Sequence, residues 1–155
     1  MYRCERLWNI QIAVDTINSM WDDISEDGAP PYTPDLINEV YVAVYAADQY
    51  VGMYRLHQLT SVMWKGHAFI LHAQRKAHSY ESGLAVQKWV LENIPSLEMM
   101  VVDVPECFGN VLAFVKAIGF KELGFIPNSY TKDGVIGLHQ LGITREEMKC
   151  QQQQQ

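Results

Sequence analysis

The hydrophobic period of the chain changes at Glu39, and this change restricts the possible folds more than any other feature. The apolar residues at helical spacing before it are Ile10, Val14, Ile17, Trp21 and Ile24. From Val40 to Ala46, aliphatic residues fill alternate positions instead, which is typical of a strand. The pattern predicts a long N-terminal helix, a short second helix at Thr33–Pro34, and then a sheet.

The strand at 40–46 begins a predicted meander of three strands. The returning strand is "YVGMYRLHQLTSVMW", with an irregularity near Gln58–Ser61. Lys65 and Gly66 predict another turn, and "HAFILHA" follows as the third strand.

The second half of the chain alternates helices and strands. We predict a helix capped by Ser79 and ended by Pro95, a buried strand "LEMMVVDVP", and a helix "GNVLAFVKAIGF" stopped by Gly119. A final hairpin turns through "TKDG". This order of elements predicts an α+β (mixed α/β) fold, with a central sheet covered by helices on both faces.

Composition limits the organisation and the partners of the chain. At 155 residues, the chain fits one domain, which we expect over residues 1–149, with a disordered tail over 150–155. A net charge of −6 argues against a general nucleic-acid binder. The sequence predicts no membrane span, and three scattered cysteines favour a reduced, cytoplasmic protein.

Two local patterns carry a resemblance to a known family. They are "FILHAQRKAHSYESGL" and "NVLAFVKAIGFKELGFIP", separated by a buried strand. In this order they resemble the GCN5-related N-acetyltransferase (GNAT) superfamily, over roughly residues 40 to 143. The resemblance implies a mostly antiparallel GNAT-like sheet, and phage-encoded members related to head-assembly proteins are the nearest type.

The resemblance implies that acetyl-CoA is the cofactor. Its pantetheine arm would lie along the family's fourth strand, here Phe69, Ile70 and Leu71, and an N–H of that strand would polarise the thioester carbonyl. Asn110 would contact the cofactor arm. The pyrophosphate would bind at the start of the next helix. The residues matched to that loop are Lys76, Ala77, His78, Ser79, Tyr80 and Glu81.

Two registers of this loop remain open. Without a gap, Lys76 takes the family's Gln/Arg position, and Ser79 and Glu81 take its glycine positions. A carboxylate at Glu81 would repel a diphosphate. A register shifted by two residues places Gln74, Ala77 and Ser79 on the motif, but it requires a two-residue insertion before Leu84.

The catalytic candidates depart from the family's pattern. Val115 stands where the family often carries a tyrosine that protonates the leaving thiolate. Tyr130 of the final hairpin is a candidate replacement for that acid. His67 is either the general base for the incoming amine or an ordinary histidine near the start of a strand. The spacing of His57, His72 and His78 matches no metal motif.

The sequence therefore supports two hypotheses. The first is an N-acetyltransferase that transfers an acetyl group from acetyl-CoA to an amine of unknown identity by direct attack. The second is a catalytically inactive GNAT-like structural or assembly protein of bacteriophage morphogenesis, located in the host cytoplasm or the virion. A homodimer or an assembly partner fits either hypothesis.

Overall fold

A seven-stranded sheet organises the computed structural model, which describes residues 1–155. The strands are β1 (Tyr2–Arg6), β2 (Val40–Ala46), β3 (Gln49–Gln58), β4 (Met63–Ile70), β5 (Met99–Pro105), β6 (Lys121–Thr131) and β7 (Val135–Thr144). Their order across the sheet is β1-β2-β3-β4-β5-β7-β6. All neighbours pair antiparallel except β4 and β5, which are parallel.

Five α-helices accompany the sheet. They are α1 (Ile10–Asn18), α2 (Trp21–Ile24), α3 (Arg75–Asn93), α4 (Gly109–Ala117) and α5 (Arg145–Gln153). A 3-10 turn over His72–Gln74 leads directly into α3. The sheet thus carries helices from both ends and from the middle of the chain.

The two faces of the sheet belong to separate hydrophobic clusters. On one face, Ala13 and Ile17 of α1 pack against Tyr41, Met53 and Phe69 of β2, β3 and β4. The residues that fill the other face include Val42, Ile70, Val86, Val90, Val115 and Met148. Alternate residues of a strand point to opposite faces, so one sheet supplies both clusters. The predicted α+β fold with helices on both faces is confirmed.

The N-terminal region differs from its prediction in three ways. β1 was not expected, and it pairs with β2 through Tyr2 to Arg6. The expected long helix is divided into α1 and α2, and Ser19 lies at the C-cap of α1. No helix forms at Thr33–Pro34; instead the Asp35 carboxylate accepts the next turn's N–H groups. A side chain that bonds to nearby backbone favours a turn over a helix.

The third predicted strand also begins earlier than expected. Lys65 and Gly66 lie inside β4, and the turn occurs before Met63. At the other end of the chain, α5 continues to Gln153, within the tail expected to be disordered. Met148 is fully buried, and Nε2 of Gln152 donates to the Leu84 carbonyl at 3.0 Å. These contacts hold α5 against α3.

Candidate functional site

A deep cleft opens between β4 and β5. The two strands pair only from Met63 to Lys65, opposite Met99 to Val101, and then diverge. The resulting cleft has a volume of about 1030 Å³. Its walls come from β3, β4, β5, α2, α3, α4 and the end of β6. A cleft of this size is the default place to look for a binding site.

The β4 wall presents free backbone groups to the cleft. Leu71 donates its N–H to Val51 on the β3 side, at 3.0 Å. Backbone groups alternate in direction along an antiparallel strand, so the N–H groups of Ala68 and Ile70 point the other way, into the gap. The Ile70 carbonyl points there too, because it accepts from Nε of Arg75 at 3.0 Å. Ala68 and Ile70 therefore supply two donors with no partner strand.

The segment matched to the pyrophosphate loop is helical. Gln74 donates its N–H to the Leu71 carbonyl at 2.8 Å, and Arg75 donates to His72. Since α3 starts at Arg75, the N–H groups of residues 79–81 donate within the helix to carbonyls four residues back. The expectation that Ser79 caps this helix is wrong. Ser79 to Glu81 cannot cradle a phosphate with their backbone.

The predicted cofactor residues fall into two groups. Those that line the cleft are Phe69, Ile70, Lys76, Ser79 and Asn110. Those that do not are Leu71, Ala77, His78, Tyr80 and Glu81. Nδ1 of His78 bonds to the Tyr2 hydroxyl at 2.7 Å, away from the cleft. The Glu81 side chain is exposed outside the cleft, so its charge does not enter the cleft mouth.

Two cations at the start of α3 face the cleft. Lys76 is exposed and makes no ion pair. Arg75 lines the same mouth, although its Nε is held by Ile70. Together with the helix N-terminus they attract anions. Free β4 donors and two cations therefore line one cleft.

The wall opposite β4 is apolar where α3 meets α4. Val115, which replaces the family's tyrosine, is 6% exposed and packs in the core. A Cβ on Gly83 would come within 2.9 Å of Ile118, so the two helices approach closely there. Asn110 accepts the N–H of Val111 with its own Oδ1, at 3.0 Å. Thus α4 supplies no proton donor at the position of Val115.

His67 lies on the cleft wall and contacts a second histidine. Its Nε2 is 3.3 Å from Nε2 of His57 on β3, and the two rings meet edge to edge, nearly parallel, with an interplanar angle of 13°. Burial lowers the pKa of His67 to about 3, and the charges of Arg55 and Lys65 add to this effect. His67 is therefore a neutral imidazole at physiological pH.

The charged groups around this histidine pair are themselves paired. Arg55 binds the Glu39 carboxylate, and Lys65 binds Asp103 of β5. The guanidinium of Arg55 also lies 5.0 Å from the ring centre of Tyr32. These pairs leave the inner half of the cleft close to neutral.

Tyr130 closes the cleft on the side of α2. Its hydroxyl donates to the Ile24 carbonyl at 3.0 Å. Burial raises the pKa of Tyr130, and the neighbouring charge of Glu26 adds to this, so the phenol stays protonated. Both predicted catalytic residues, His67 and Tyr130, thus line one cleft, although neither is hydrogen-bonded to the other.

Several cleft residues were not predicted from the sequence. They are Trp21, Asp23, Glu26, Tyr32, Arg55, Arg75 and Asp103. The helical stripe placed Trp21 in the core. Only the position of Arg75, next to the matched loop, carried a signal. The chain has no helix long and apolar enough to cross a membrane, and no cluster of three or more side chains suited to a metal ion.

Comparison with known proteins identifies the fold of the chain. Residues 11–154 match the model of a family described as protein of unknown function (DUF2824). No curated protein matches the sequence. A spermidine N-acetyltransferase from Vibrio cholerae, crystallised with CoA and spermine, is similar with a TM-score of 0.78 and 12% identity, over 96% of this chain and 98% of that chain.

A second solved structure agrees. An N-acetyltransferase from Staphylococcus aureus Mu50 is similar with a TM-score of 0.71 and 15% identity, over 94% of this chain and 99% of that chain. Identities this low carry the fold and not the activity. The chain has the GNAT fold, as the resemblance implied.

Proposed function

We propose that the chain, which belongs to the family described as protein of unknown function (DUF2824), transfers an acetyl group from acetyl-CoA to an amine. The family description gives no activity, so the proposal is argued from the cleft. One observation carries the proposal. The sheet opens beside β4 into a cavity of about 1030 Å³, where Ala68 and Ile70 present unpaired N–H groups. A cleft lined by backbone donors suits an acyl arm with amide and carbonyl groups.

Different residues of the cleft would bind the cofactor and carry out the proton transfers. The N–H groups of Ala68 and Ile70 would bind the arm and polarise the acyl carbonyl, since preorganised donors stabilise the oxyanion. Lys76 would hold the diphosphate at the mouth. His67, which lines the cleft as a neutral imidazole, would accept the proton of the attacking amine.

Tyr130 would complete the reaction. Its raised pKa keeps the phenol protonated at neutral pH, so it is able to give a proton to the leaving sulfur. Its hydroxyl must first release the Ile24 carbonyl. Acetyl-CoA, when bound, supplies the activated acetyl group, and the chain orients it and moves the protons.

The charge on the α2 side of the cleft, opposite the cations of α3, favours a cationic amine as acceptor. Asp23 and Glu26 of the α2 region line the cleft beside Trp21. Carboxylates raise the local concentration of a cation. The amine that reaches the site must then lose a proton before it attacks. The Vibrio cholerae protein acts on spermidine, and polyamines are therefore the first acceptors to test.

Binding and turnover together test the proposal. Acetyl-CoA well above its dissociation constant should raise the free energy of unfolding by about 3 kcal/mol at a 100-fold excess over Kd. Release of free thiol with a panel of aliphatic amines should follow. The absence of any thermal shift at millimolar acetyl-CoA would refute acetyl transfer.

The edge of the sheet favours a second candidate function, a catalytically inactive assembly protein of bacteriophage morphogenesis. β6 is an edge strand, and Leu123, Phe125 and Ile126 are 56%, 47% and 42% exposed. A long apolar edge invites another chain. A second copy or a particle protein would act in the host cytoplasm or the virion. Co-purification with particles, without turnover, would support this candidate.

A further inference from the structure

The proposed base, His67, contacts a second histidine, His57. Their Nε2 atoms, 3.3 Å apart, share one hydrogen bond across β3 and β4. One of the two nitrogens must carry the proton and the other must accept it. The hydrogen bond of one ring nitrogen decides which tautomer a histidine adopts, and therefore what its other nitrogen offers.

The other nitrogen of His67 is available to the cleft. Nδ1 of His67 has no hydrogen-bond partner in the chain, and it is not among the enclosed polar atoms that lack a partner. Since His67 lines the cleft, this nitrogen is open to a ligand there. If Nε2 donates to His57, Nδ1 carries a lone pair and is the basic atom.

The surrounding charges direct a proton outward, from His67 to His57. His67 faces Arg55 and Lys65, and burial together with these cations lowers its pKa to about 3. Burial, Arg55 and Lys65 lower the pKa of His57 too, but the Glu39 carboxylate acts on it in the opposite direction, and no such carboxylate acts on His67. A positive charge is therefore better placed on His57, nearer to Glu39.

On the basis of the proposed function, we propose that His57 and His67 act as one two-histidine base. The amine nitrogen uses its lone pair to form the C–N bond, and the C–S electron pair leaves with sulfur. Nδ1 of His67 takes the N–H proton of the amine. Nε2–H of His67 moves to Nε2 of His57, and His57 releases its Nδ1 proton to water. His57 is thus a positioning residue that acts through His67.

Turnover of paired variants tests this arrangement. His57→Phe keeps a ring of similar shape and removes both nitrogens, so kcat should fall about tenfold, with KM for acetyl-CoA unchanged. His57→Gln, which still accepts a hydrogen bond, should lose less. His139→Phe is the matched control, because His139 lies on β7 outside the cleft and bonds to Glu122.

The double variant separates a role through His67 from a structural role. His57→Phe combined with His67→Phe should be no slower than His67→Phe alone, since the first change then has nothing left to remove. Losses that multiply would overturn the proposal. So would an unchanged kcat in His57→Phe.

Nitrogen NMR of the imidazoles tests the pair even without turnover. At pH 7, His67 should show a protonated Nε2 and an unprotonated Nδ1, and His57→Phe should convert it to a mixture of tautomers. A His67 protonated at Nδ1 would overturn the proposal whatever the activity. If the tautomer is as expected and no amine is acetylated, the proposed function is wrong while the pairing of the histidines stands.

Discussion

The Tyr130 hydroxyl donates a 3.0 Å hydrogen bond to the carbonyl oxygen of Ile24, and this bond joins the β6–β7 hairpin to α2 across the mouth of the cleft. The neighbouring bonds are also polar. Thr131 donates both its N–H and its hydroxyl to Glu26, and Lys132 donates to the Ser25 carbonyl. Polar bonds at an exposed edge contribute little individually, so the connection is able to open for a substrate.

Tyr130→Phe should lower kcat by about tenfold while the fold is kept, because the variant loses a proton donor and one hydrogen bond. Thr131→Val is the matched variant: it removes the 2.8 Å bond to Glu26 in the same connection but no acid. Steady-state kinetics should show a fall in kcat for Tyr130→Phe only. Equal effects of the two changes would mean that Tyr130 serves the connection and not the chemistry.

Lys76→Glu should weaken acetyl-CoA binding about tenfold or more, equivalent to about 1.4 kcal/mol. The reason is that an exposed, unpaired cation at the cleft mouth becomes an anion facing a diphosphate. Lys88→Glu makes the same charge change on α3 outside the cleft and should leave Kd unchanged. Calorimetry at two salt concentrations measures both. Equal affinity of Lys76→Glu and the parent would place the diphosphate elsewhere.

Gly52→Ala should destabilise the protein by about 2–4 kcal/mol, from overpacking and backbone strain together. Gly52 has a φ of +154°, and a Cβ there would lie 2.3 Å from the backbone oxygen of Phe69. Backbone of the paired strand cannot move aside as a side chain can. Gly109→Ala, where nothing lies within 4 Å, is the control. Urea unfolding of both variants measures the difference, and equal midpoints would contradict the close approach of β3 and β4.

Stability should fall with acid because His67 is buried in its neutral form. Its folded pKa of about 3 lies below the ordinary histidine value of 6.5, so the unfolded chain binds the extra proton between these values. The free energy of unfolding should therefore rise with pH, by at most about 1.4 kcal/mol per unit from this group, from about pH 3 to about 6.5, and then level off. His67→Phe should have a shallower slope in this window. Identical slopes would mean that His67 titrates normally.

The sequence predicted well where local signals and tertiary packing agree. β5 is a short apolar run, a pattern typical of a buried strand. The C-terminal end of α4 was identified from Gly119, which adopts a φ of +102° as expected for a helix end. β1 was missed because its inward residues are Tyr2, Cys4 and Arg6, which do not form an apolar pattern.

The start of α3 was placed too late for a different reason. Ser79 is a good cap by residue type, but no side chain caps this helix; the 3-10 turn after Leu71 begins it instead. The resemblance therefore identified the junction, Lys76 and the strand that carries a donor N–H, but not which N–H groups of that strand remain free. The contact of His57 with His67 was likewise invisible, because it depends on the register that sets Arg55 opposite His67.

Because β4 and β5 diverge, a ligand that lies between them would take the place of a missing strand. The amide hydrogens of Ala68 and Ile70 have no partner strand across the gap, so they should exchange with deuterated solvent faster than that of Leu71, which is bonded to β3. An arm that lies along β4 would bond to them and slow that exchange. The amides of the sheet would then report occupancy residue by residue, whether or not the chain completes a reaction.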